Sequence, residues 1–452
     1  MEWSQLKNRL DSLLDSDKKS ELRGALRMLN RVDVAEYLSE LDTDKMLRVF
    51  RILPTEISSE VFSYMDDEQR EKLISSIADS DVRALVDDMF IDDAVDFLEE
   101  MPDALVKRVL STVSPDTRKL INTFLSYPEN SAGSIMTVEY CAFPLSYTVR
   151  QAMQEIRSTG LDKETINTLY VVDGEGRLKG SLSLSKLIMA SDDTPVAALT
   201  DAGKISVYTG DDQELVAETV RKYHLLAVPV TDKEGRLIGI VTADDVMDVM
   251  QDEATEDIEK MSALTPSEDT YIKSSVMTLV KNRLPWLMIM LTASILTGLI
   301  INHYNGLITG LEGAGIALAA CIPMIMDTCG NCGQQASTLV VRGLATGELS
   351  PSDALIVLWK ETRVSLTVAT ILALFCFLIQ RFLFGASAVL ALVISAAMVC
   401  AVIFAKIIGG LLPLGAKAVK LDPALTAVPL ITTLSDTGSL IILFSLASII
   451  LK

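Results

Sequence analysis

The chain has 452 residues, of which 49% are hydrophobic, 60 are Asp or Glu, 40 are Lys or Arg and only two are His, so its net charge is −20. So acidic a chain repels nucleic acid and attracts cations, and with two histidines and no evident nucleophile–base pair we do not expect an enzyme. Residues 1–270 carry a net charge of −24, whereas residues 271–452 carry +4. We therefore expect a very acidic soluble part followed by a membrane part.

The cysteine pattern and the amino terminus both indicate a cytoplasmic soluble part. Cys141 is the one cysteine of the acidic part, and the other five lie in or beside apolar segments, which is not the pattern of a disulfide framework. The start of the chain lacks a basic region followed by an apolar run, so we predict no cleaved signal peptide. The soluble part should therefore remain in the cytoplasm.

Residues 1–130 are predicted to form one short helix after another. Apolar residues recur at spacings of three and four, as at Val86, Met89 and Phe90, which is typical of helices. Acidic or proline-containing breaks such as Leu53-Pro54-Thr55 separate these helices. Because helices this short must pack on their neighbours, we expect an acidic helical N-domain wound as a superhelical stack of degenerate repeats. A compact helical bundle is the alternative.

Residues 131–252 contain an internal repeat. Glu175-Gly-Arg-Leu-Lys-Gly180 recurs as Glu234-Gly-Arg-Leu-Ile-Gly239, and each copy follows a β-rich run and precedes a second strand and a helix. The Asp-Gly-Glu-Gly and Asp-Lys-Glu-Gly stretches predict hairpin turns. This pattern resembles a tandem pair of cystathionine-β-synthase-type (CBS) domains, at about 131–195 and 196–252.

Pairs of this kind are regulatory modules that often bind adenine nucleotides between the repeats. Thr242-Ala-Asp-Asp245 matches the ribose-contacting Thr/Ser-x-x-Asp pattern, whereas Ser183-Leu-Ser-Lys186 in the first repeat lacks the Asp. The resemblance therefore implies ATP at one site at most, contacted by Thr242 and Asp245. A helix N-cap by Thr242 is the alternative, and both can hold.

An acidic connector at residues 244–275 joins this module to the membrane part. Like charges at helical spacing destabilise a bare helix, so we expect cations to neutralise them; a solvated acidic face is the alternative. The connector acids along one side are Asp245, Asp248, Asp252, Glu253, Glu256 and Asp257.

Five apolar segments are each long enough to cross a hydrocarbon core, which takes about 20 helical residues. Basic residues decide orientation, and we assign Arg342, Lys360 and Arg363 to the loop after the second span. The sequence thus predicts a multi-pass protein of the cell membrane with its amino-terminal domains in the cytoplasm and its C-terminus outside. The predicted spans are 284–303, 314–341, 354–379, 386–412 and 424–451.

The second and fifth spans are unusually polar. In the second, Pro323 and the following glycines are expected to free backbone carbonyls, which with Asp327, Asn331 and Gln335 would ligate a hydrated cation. In the fifth, Asp436 is the one charged residue, with Thr432 one helical turn before it. An intramembrane carboxylate costs about 2.5–3.5 kcal/mol, so it marks an ion path by default, and Mg²⁺ suits it. A helix-terminal or paired Asp is the alternative.

These motifs have a counterpart in a known family. Pro323-x-x-x-Asp-Thr-x-Gly-Asn-x-Gly-x-Gln335, then Arg342-Gly-Leu-Ala, and Asp422-Pro-Ala ahead of Asp436 resemble the signature of the MgtE family of magnesium channels. The order of helical N-domain, CBS pair, acidic connector and five spans is also similar. The resemblance implies a homodimer in the lipid bilayer, with its pore on the two-fold axis.

The resemblance also implies residue roles. Asp436 would hold hydrated Mg²⁺ in the pore, helped by Thr432, Gly330 and Asn331, and the connector would be a gating plug closed by intracellular Mg²⁺. The family usually has Asp where this chain has His224, which weakens the expectation of one regulatory site. The regulatory positions implied are Asp92, Asp93 and Asp96, Asp212 and Glu214, and Asp245, Asp248, Asp252, Glu253, Glu256 and Asp257.

The sequence thus predicts a Mg²⁺-selective channel for uptake that internal Mg²⁺ closes. Two alternatives remain open at this stage. One is an ion-coupled transporter or exporter of divalent cations. The other is a nucleotide sensor with a membrane anchor, although an anchor would need neither Asp436 nor the second-span motif.

Overall fold

The computed structural model describes residues 3–201, 203, 205–267, 271, 274–311, 313–426 and 428–451. The chain divides into two units at Met250 and Gln251. As predicted, it combines a helical amino-terminal region, a CBS-type pair with mixed sheets, and five helices long and apolar enough to cross a membrane.

The amino-terminal region is a succession of short helices in which alternate members pack together. α3 packs on α5, α5 on α7, and α7 on α9. Helices of 8–13 residues are marginal alone, so their stability comes from these contacts. Phe62 is fully buried and lies edge-on to Phe97 with ring centroids 5.0 Å apart. The described helices here are α1 Trp3–Asp15, α2 Lys19–Arg27, α3 Arg31–Ser39, α4 Thr43–Phe50, α5 Thr55–Ser63, α6 Asp67–Ser76, α7 Asp79–Asp87, α8 Ile91–Glu99, α9 Asp103–Thr112 and α10 Pro115–Phe124.

The CBS-type pair contains two three-stranded sheets of the same topology. In each, the first strand pairs parallel with the second, and the second pairs antiparallel with the third. The elements are β1 Ala142–Pro144, α11 Val149–Thr159, β2 Thr168–Val172, β3 Leu178–Ser183, α12 Leu184–Met189, α13 Val196–Leu199, β4 Val207–Tyr208, α14 Gln213–Tyr223, β5 Ala227–Thr231 and β6 Leu237–Thr242.

The predicted repeat is confirmed at its hairpins. Gly176 and Gly235 occupy the same turn position, each with φ of +77°, a left-handed conformation that glycine adopts without strain. The two turns also bond to each other, because Leu178 N donates to Gly235 O and Leu237 N donates to Gly176 O, both at 3.0 Å. Each repeat therefore completes the hairpin of the other.

The acidic connector is helical over its first part. Helix α15 runs Ala243–Met261 and ends before Ala263, whose φ is +57°. Residues 264–267 follow without regular structure. The predicted connector extended to 275, and within 262–275 residues 268–270, 272 and 273 lie outside the described residues.

The second unit is built from long apolar helices. The five candidate spans have 35, 32, 33, 31 and 21 residues, so the predicted number of five holds over the described residues. None of the side chains of the first membrane helix, residues 276–303, is buried within the chain as described. The helices are α16 Val276–His303, α17 Asn305–Gly310, α18 Gly313–Ala320, α19 Ile322–Ala345, α20 Ala354–Leu378, α21 Ala388–Ala418, α22 Pro423–Thr426 and α23 Val428–Ile450.

Helices α19, α21 and α23 pack closely around two glycines. A Cβ atom added to Gly409 of α21 would lie 2.2 Å from the carbonyl oxygen of Gly333 on α19. A Cβ atom on Gly333 would lie 2.8 Å from Cγ2 of Ile431 on α23. Real side chains do not approach so closely, so both positions require glycine, and the backbones of α19 and α21 touch.

Two predictions about the membrane helices are wrong. Helix α19 runs unbroken, because Pro323 lies in its first turn where its missing N–H is not needed; the backbone breaks at Cys321, and the carbonyls of the middle of the helix are not freed. Arg342 lies in the last turn of α19, and Lys360 and Arg363 lie within α20, so none of the three is in a loop. This span, with its flanking turns, has 33 residues, more than the ~20 that cross the hydrocarbon core.

Candidate cation sites

The intramembrane carboxylate lies on α23 against the glycine-containing part of α19. A Cβ atom added to Gly330 would lie 3.8 Å from Oδ1 of Asp436 and 3.8 Å from Cγ2 of Thr432. The one-turn spacing from Thr432 to Asp436 puts both on this side of α23, as the sequence predicted. Because Gly330 has no side chain, room remains beside the carboxylate.

The polar residues of the second span form a stripe along α19. Asp327, Asn331 and Gln335 recur every four residues, and all three are exposed on the chain as described. We call these three residues the polar stripe. Asp327 is close enough to Asp436 for their negative charges to interact. Polar side chains at membrane depth face water or other protein groups, so this side of α19 faces one of the two.

The membrane part contains two further charged residues that the sequence analysis did not single out. Lys406 of α21 is only 5% exposed, and Glu361 of α20 packs against Gly410, one turn after Lys406. The Oε2 atom of Glu361 is buried without a hydrogen-bond partner in the described part of the chain. Lys406 lies within the predicted fourth span, so the default interpretation of intramembrane charge would have found it.

In the first unit, carboxylates gather where helix α8 meets the start of α15. Three come from α8, one from the loop before β2 and one from the first turn of α15. We call them the Asp92 cluster. Its members are Asp92, Asp93, Asp96, Glu164 and Asp245.

The Asp92 cluster holds its charges at a cost. Burial, and repulsion from carboxylates such as Asp245, raise the pKa of Asp93 to about 6 and those of Asp96 and Glu164 to about 7. The same causes raise the pKa of Asp92 well above its ordinary range and also raise that of Asp245. Groups of one charge crowded together in this way are stabilised by protons or by a cation.

One unpaired atom and the kind of donor atoms present bear on whether the Asp92 cluster suits a cation. Oδ1 of Asp92 is buried and lacks a hydrogen-bond partner among the described residues. The donors are all carboxylate oxygens, which suit a hard cation such as Mg²⁺. Among the described residues, however, no three or more His, Cys, Asp or Glu side chains are arranged to hold a metal ion. The donor atoms of the cluster therefore suit Mg²⁺ chemically. Because carboxylates without a bound cation repel one another, they would have to move closer together to hold the ion.

The other predicted regulatory residues lie on α14 and further along α15. Asp212 is the N-cap of α14 and accepts from Glu214 N at 2.9 Å. His224 ends the same helix in a left-handed conformation, with φ of +52°. Asp248 is exposed on α15, and Asp252 and Glu253 follow on the same helix. Their predicted metal-binding roles stay predictions.

The end of α15 forms a different ionic group. Lys260 Nζ lies 2.7 Å from Glu256 Oε1 and 2.8 Å from Asp422 Oδ2. Burial opposes the charge of Lys260, but these ion pairs prevail and raise its pKa. Burial and the charge of Asp422 raise the pKa of Asp257. We call these four residues the connector junction.

The predicted nucleotide contacts are bonded to each other. Thr242 Oγ1 donates to Asp245 Oδ2 at 2.5 Å, and Thr242 N approaches the same atom at 3.3 Å. Asp245, in the first turn of α15, thus bonds back to the residue that precedes the helix, as in one half of a capping box. It is also a member of the Asp92 cluster.

Sequence reasoning missed several participants because their partners are distant along the chain. Glu164 lies in a loop whose backbone N donates to Glu139 O at 2.8 Å, and no periodic pattern marks it. Lys260 follows Glu256 by four residues, so this ion pair could have been predicted from helical spacing. The sequence indicated Asp422 only as part of the Asp-Pro-Ala motif.

Comparison with known families matches three regions of the chain. The family model described as a divalent cation transporter matches residues 322–446, the one for an MgtE intracellular N domain matches residues 29–130, and the CBS domain model matches residues 132–193 and 199–252.

Individual relatives match over similar lengths. The magnesium transporter MgtE of Thermus thermophilus is 33% identical over 445 residues, which cover 98% of this chain and 97% of that protein. The magnesium transporter MgtE of Bacillus subtilis is 29% identical over 448 residues, covering 99% and 98%.

Two solved structures resemble the soluble part. One, described as the soluble part of a magnesium transporter, is 33% identical with a TM-score of 0.54, covering 56% of this chain and 100% of that one. The other, the cytosolic domain of the Mg²⁺ channel MgtE in complex with ATP, is 34% identical with a TM-score of 0.51, covering 54% and 99%.

Proposed function

This chain belongs to the MgtE family of magnesium transporters, and we propose that Mg²⁺ crosses the membrane beside Asp436 and that internal Mg²⁺ closes this path by binding the Asp92 cluster. The single observation that carries the first half is the position of Asp436, next to the side-chain-free surface of Gly330 and close to the polar stripe. The three residues of that stripe, Asp327, Asn331 and Gln335, were each predicted from the sequence as ligands.

The chemistry of the path suits a hydrated ion. Mg²⁺ releases water reluctantly and is usually held by one or two carboxylates with several waters retained. Asp436, with Asp327 nearby, supplies such carboxylates, and Thr432 lies one turn away. A site that binds a hydrated ion through few direct contacts also releases it readily, which conduction requires.

The exposed polar stripe supports assembly as a homodimer in the bilayer. Asp327, Asn331 and Gln335 cannot face lipid without a large cost, so a second copy of the chain facing them would enclose a water-filled path. We place the acidic first unit in the cytoplasm and the C-terminus outside. The transported ion moves down its electrochemical gradient.

The charge state of the Asp92 cluster supports the proposed closure by Mg²⁺. Its carboxylates have raised pKa values because of burial and mutual repulsion, and residues 1–270 carry a net charge of −24. A bound divalent cation would remove this repulsion. A ligand shifts a conformational equilibrium only by its difference in affinity between the two states, and a cluster that must converge to bind provides such a difference.

ATP is a candidate second ligand of the CBS-type pair. The cytosolic domain of one similar channel has been solved in complex with ATP, and Thr242 and Asp245 have the sequence pattern of a ribose contact. Because Asp245 also belongs to the Asp92 cluster, nucleotide and Mg²⁺ would share a residue. Mg²⁺ titrations with and without ATP would measure that coupling.

The test is Mg²⁺ entry into liposomes that contain the purified full-length chain, followed with an enclosed Mg²⁺-sensitive dye. Wild type should admit Mg²⁺ when the compartment facing the soluble part is free of Mg²⁺ and should stop when that compartment is loaded. Asp436→Ala should abolish entry or make it unselective while the protein stays folded. Selective entry by Asp436→Ala would place the ion path elsewhere.

A further inference from the structure

The connector junction contains a positive charge fixed to the chain among three carboxylates. Lys260 Nζ pairs with Glu256 at 2.7 Å and with Asp422 at 2.8 Å, and only 19% of the lysine side chain is exposed. Asp257, the third carboxylate, is close enough to Asp422 for their charges to repel. A single ammonium thus offsets a local excess of negative charge.

The backbone around Lys260 fastens the end of α15 to the membrane helices. Met261 packs against Val341 of α19 and Ala424 of α22. After the left-handed residue Ala263 the chain turns, and Thr265 N donates to Asn282 O of α16 at 3.0 Å. The lysine therefore lies at a joint with both apolar and hydrogen-bonded contacts.

Asp422 connects this joint to the helix that carries the pore carboxylate. Its Oδ2 atom accepts from Lys260, and its Oδ1 atom accepts from Ala424 N at 2.8 Å, in the first turn of α22. Helix α23, which contains Asp436, begins at Val428. A displacement of the end of α15 would reach the segment before the pore helix through this carboxylate and through the contact of Met261 with Ala424.

We propose that Lys260 is a tethered cation that holds the connector against the segment leading to α23, in the place that a divalent cation would take among Glu256, Asp257 and Asp422. This proposal rests on the proposed function, in which internal Mg²⁺ closes the ion path. Because the ammonium is part of the chain, its effective concentration is high at any Mg²⁺ level. The four residues of the junction thus stay together without Mg²⁺, whereas the carboxylates of the Asp92 cluster need Mg²⁺ to converge. Lys260 therefore lowers the Mg²⁺ concentration that is needed to close the ion path.

The charge of Lys260 is the feature to remove. Lys260→Met keeps the length of the side chain and leaves three carboxylates without their cation, and a charge left without its partner in a partly buried site is costly. Lys260→Arg keeps the charge and should behave as wild type. Lys417→Met is the matched control, because Lys417 is exposed at the end of α21 and has no ion pair among the described residues.

Two measurements on the full chain in lipid nanodiscs or liposomes test this. Without Mg²⁺, amide hydrogen exchange over residues 251–261 should be about fivefold faster in Lys260→Met, because this variant loses two partly exposed ion pairs. The Mg²⁺ concentration that half-closes the path should rise severalfold, and saturating Mg²⁺ should still close it. Lys260→Arg and Lys417→Met should match wild type in both.

Equal exchange in Lys260→Met and Lys417→Met would overturn the tethered cation, even if Mg²⁺ closes the path. Wild type that internal Mg²⁺ fails to close would instead overturn the proposed function, and the exchange result would still decide the tether. Should Lys260→Met fail to fold, Asp422→Asn replaces it, because Asn keeps an oxygen acceptor for Ala424 N and loses the charge. Unchanged exchange in Asp422→Asn would likewise overturn the proposal.

Discussion

The Asp92 cluster and the surroundings of Asp436 use carboxylates in opposite ways. The cluster brings five together and raises the pKa values of two of them, Asp96 and Glu164, to about 7. In contrast, Asp436 shares its site with Asp327, a threonine and the bare surface of Gly330. In the membrane part each carboxylate costs about 2.5–3.5 kcal/mol, so few are present.

This contrast implies a difference in tolerance. A site made of many carboxylates loses part of its affinity when one is removed, because the others remain. A site that depends on one carboxylate loses its function. Substitutions in the two regions test whether this difference in tolerance exists.

The largest expected effect is that of Asp436→Asn. Asparagine keeps the size and removes the charge, so selective Mg²⁺ entry should fall by at least about a hundredfold, measured in dye-loaded liposomes. Asp353→Asn, at a half-buried position just before the third-span helix α20, is the matched control and should transport normally. A loss of less than tenfold in Asp436→Asn would mean that other groups of the membrane site also bind the ion, as several carboxylates do in the Asp92 cluster.

Next we expect a loss of stability from Gly409→Ala. The added methyl group would lie 2.2 Å from the carbonyl oxygen of Gly333, and overpacking typically costs about 1–3 kcal/mol. The melting temperature in detergent should fall. Gly415→Ala in the same helix, where nothing lies within 4 Å of the added atom, should melt as wild type. Equal melting of the two variants would show that the α19–α21 crossing can relax, and that the pore region is less constrained than its packing indicates.

A tenfold effect is expected at the cluster. Asp92→Asn with Asp93→Asn removes two of five carboxylates, so the affinity for Mg²⁺ measured by calorimetry should fall about tenfold. The Mg²⁺-dependent protection of α8 from hydrogen exchange should weaken with it. Asp103→Asn, at an exposed position that starts α9, serves as the control. An unchanged affinity in the double variant would exclude α8 as a source of ligands.

The smallest expected effect is a pH dependence of Mg²⁺ binding. The folded state raises the pKa of Asp93 to about 6 and those of Asp96 and Glu164 to about 7, so it binds more protons than the unfolded state between about pH 4 and 7. The free energy of unfolding from these groups therefore falls as the pH rises through that window, and a bound cation would restore it.

Because Mg²⁺ must displace these protons, its affinity should fall about threefold between pH 8 and pH 6.5. Calorimetry in buffers of different ionisation enthalpy should show proton release at pH 6.5 and little at pH 8. Binding without proton release at pH 6.5 would place the Mg²⁺ site on groups other than Asp96 and Glu164.

The sequence predicted what local periodicity controls. The repeated turns at Gly176 and Gly235, the one-turn spacing from Thr432 to Asp436 and the four-residue spacing of the polar stripe each depend on residues close along the chain. It could not predict that Glu164 lies near the carboxylates of α8, or that Lys260 pairs with Asp422, because tertiary packing brings such residues together.

Pro323 shows a different limit. Its sequence neighbours, rich in glycine and polar residues, favour a broken helix, but the effect of a proline depends on its position within the helix. One residue decides the outcome, because the helix begins at Ile322. The boundaries of helices are the least secure part of any prediction from sequence.

The bonds exchanged by the two CBS-type hairpins have a consequence for how the chain is made. Leu178 N finds its partner at Gly235 and Leu237 N at Gly176, so the first hairpin waits for the second to leave the ribosome. Synthesis at about 5–20 residues per second makes that interval roughly 3–12 seconds. During it, the first repeat exposes an unpaired strand end that another chain could pair with. Newly made chains should therefore be most prone to misassociation before the second repeat emerges.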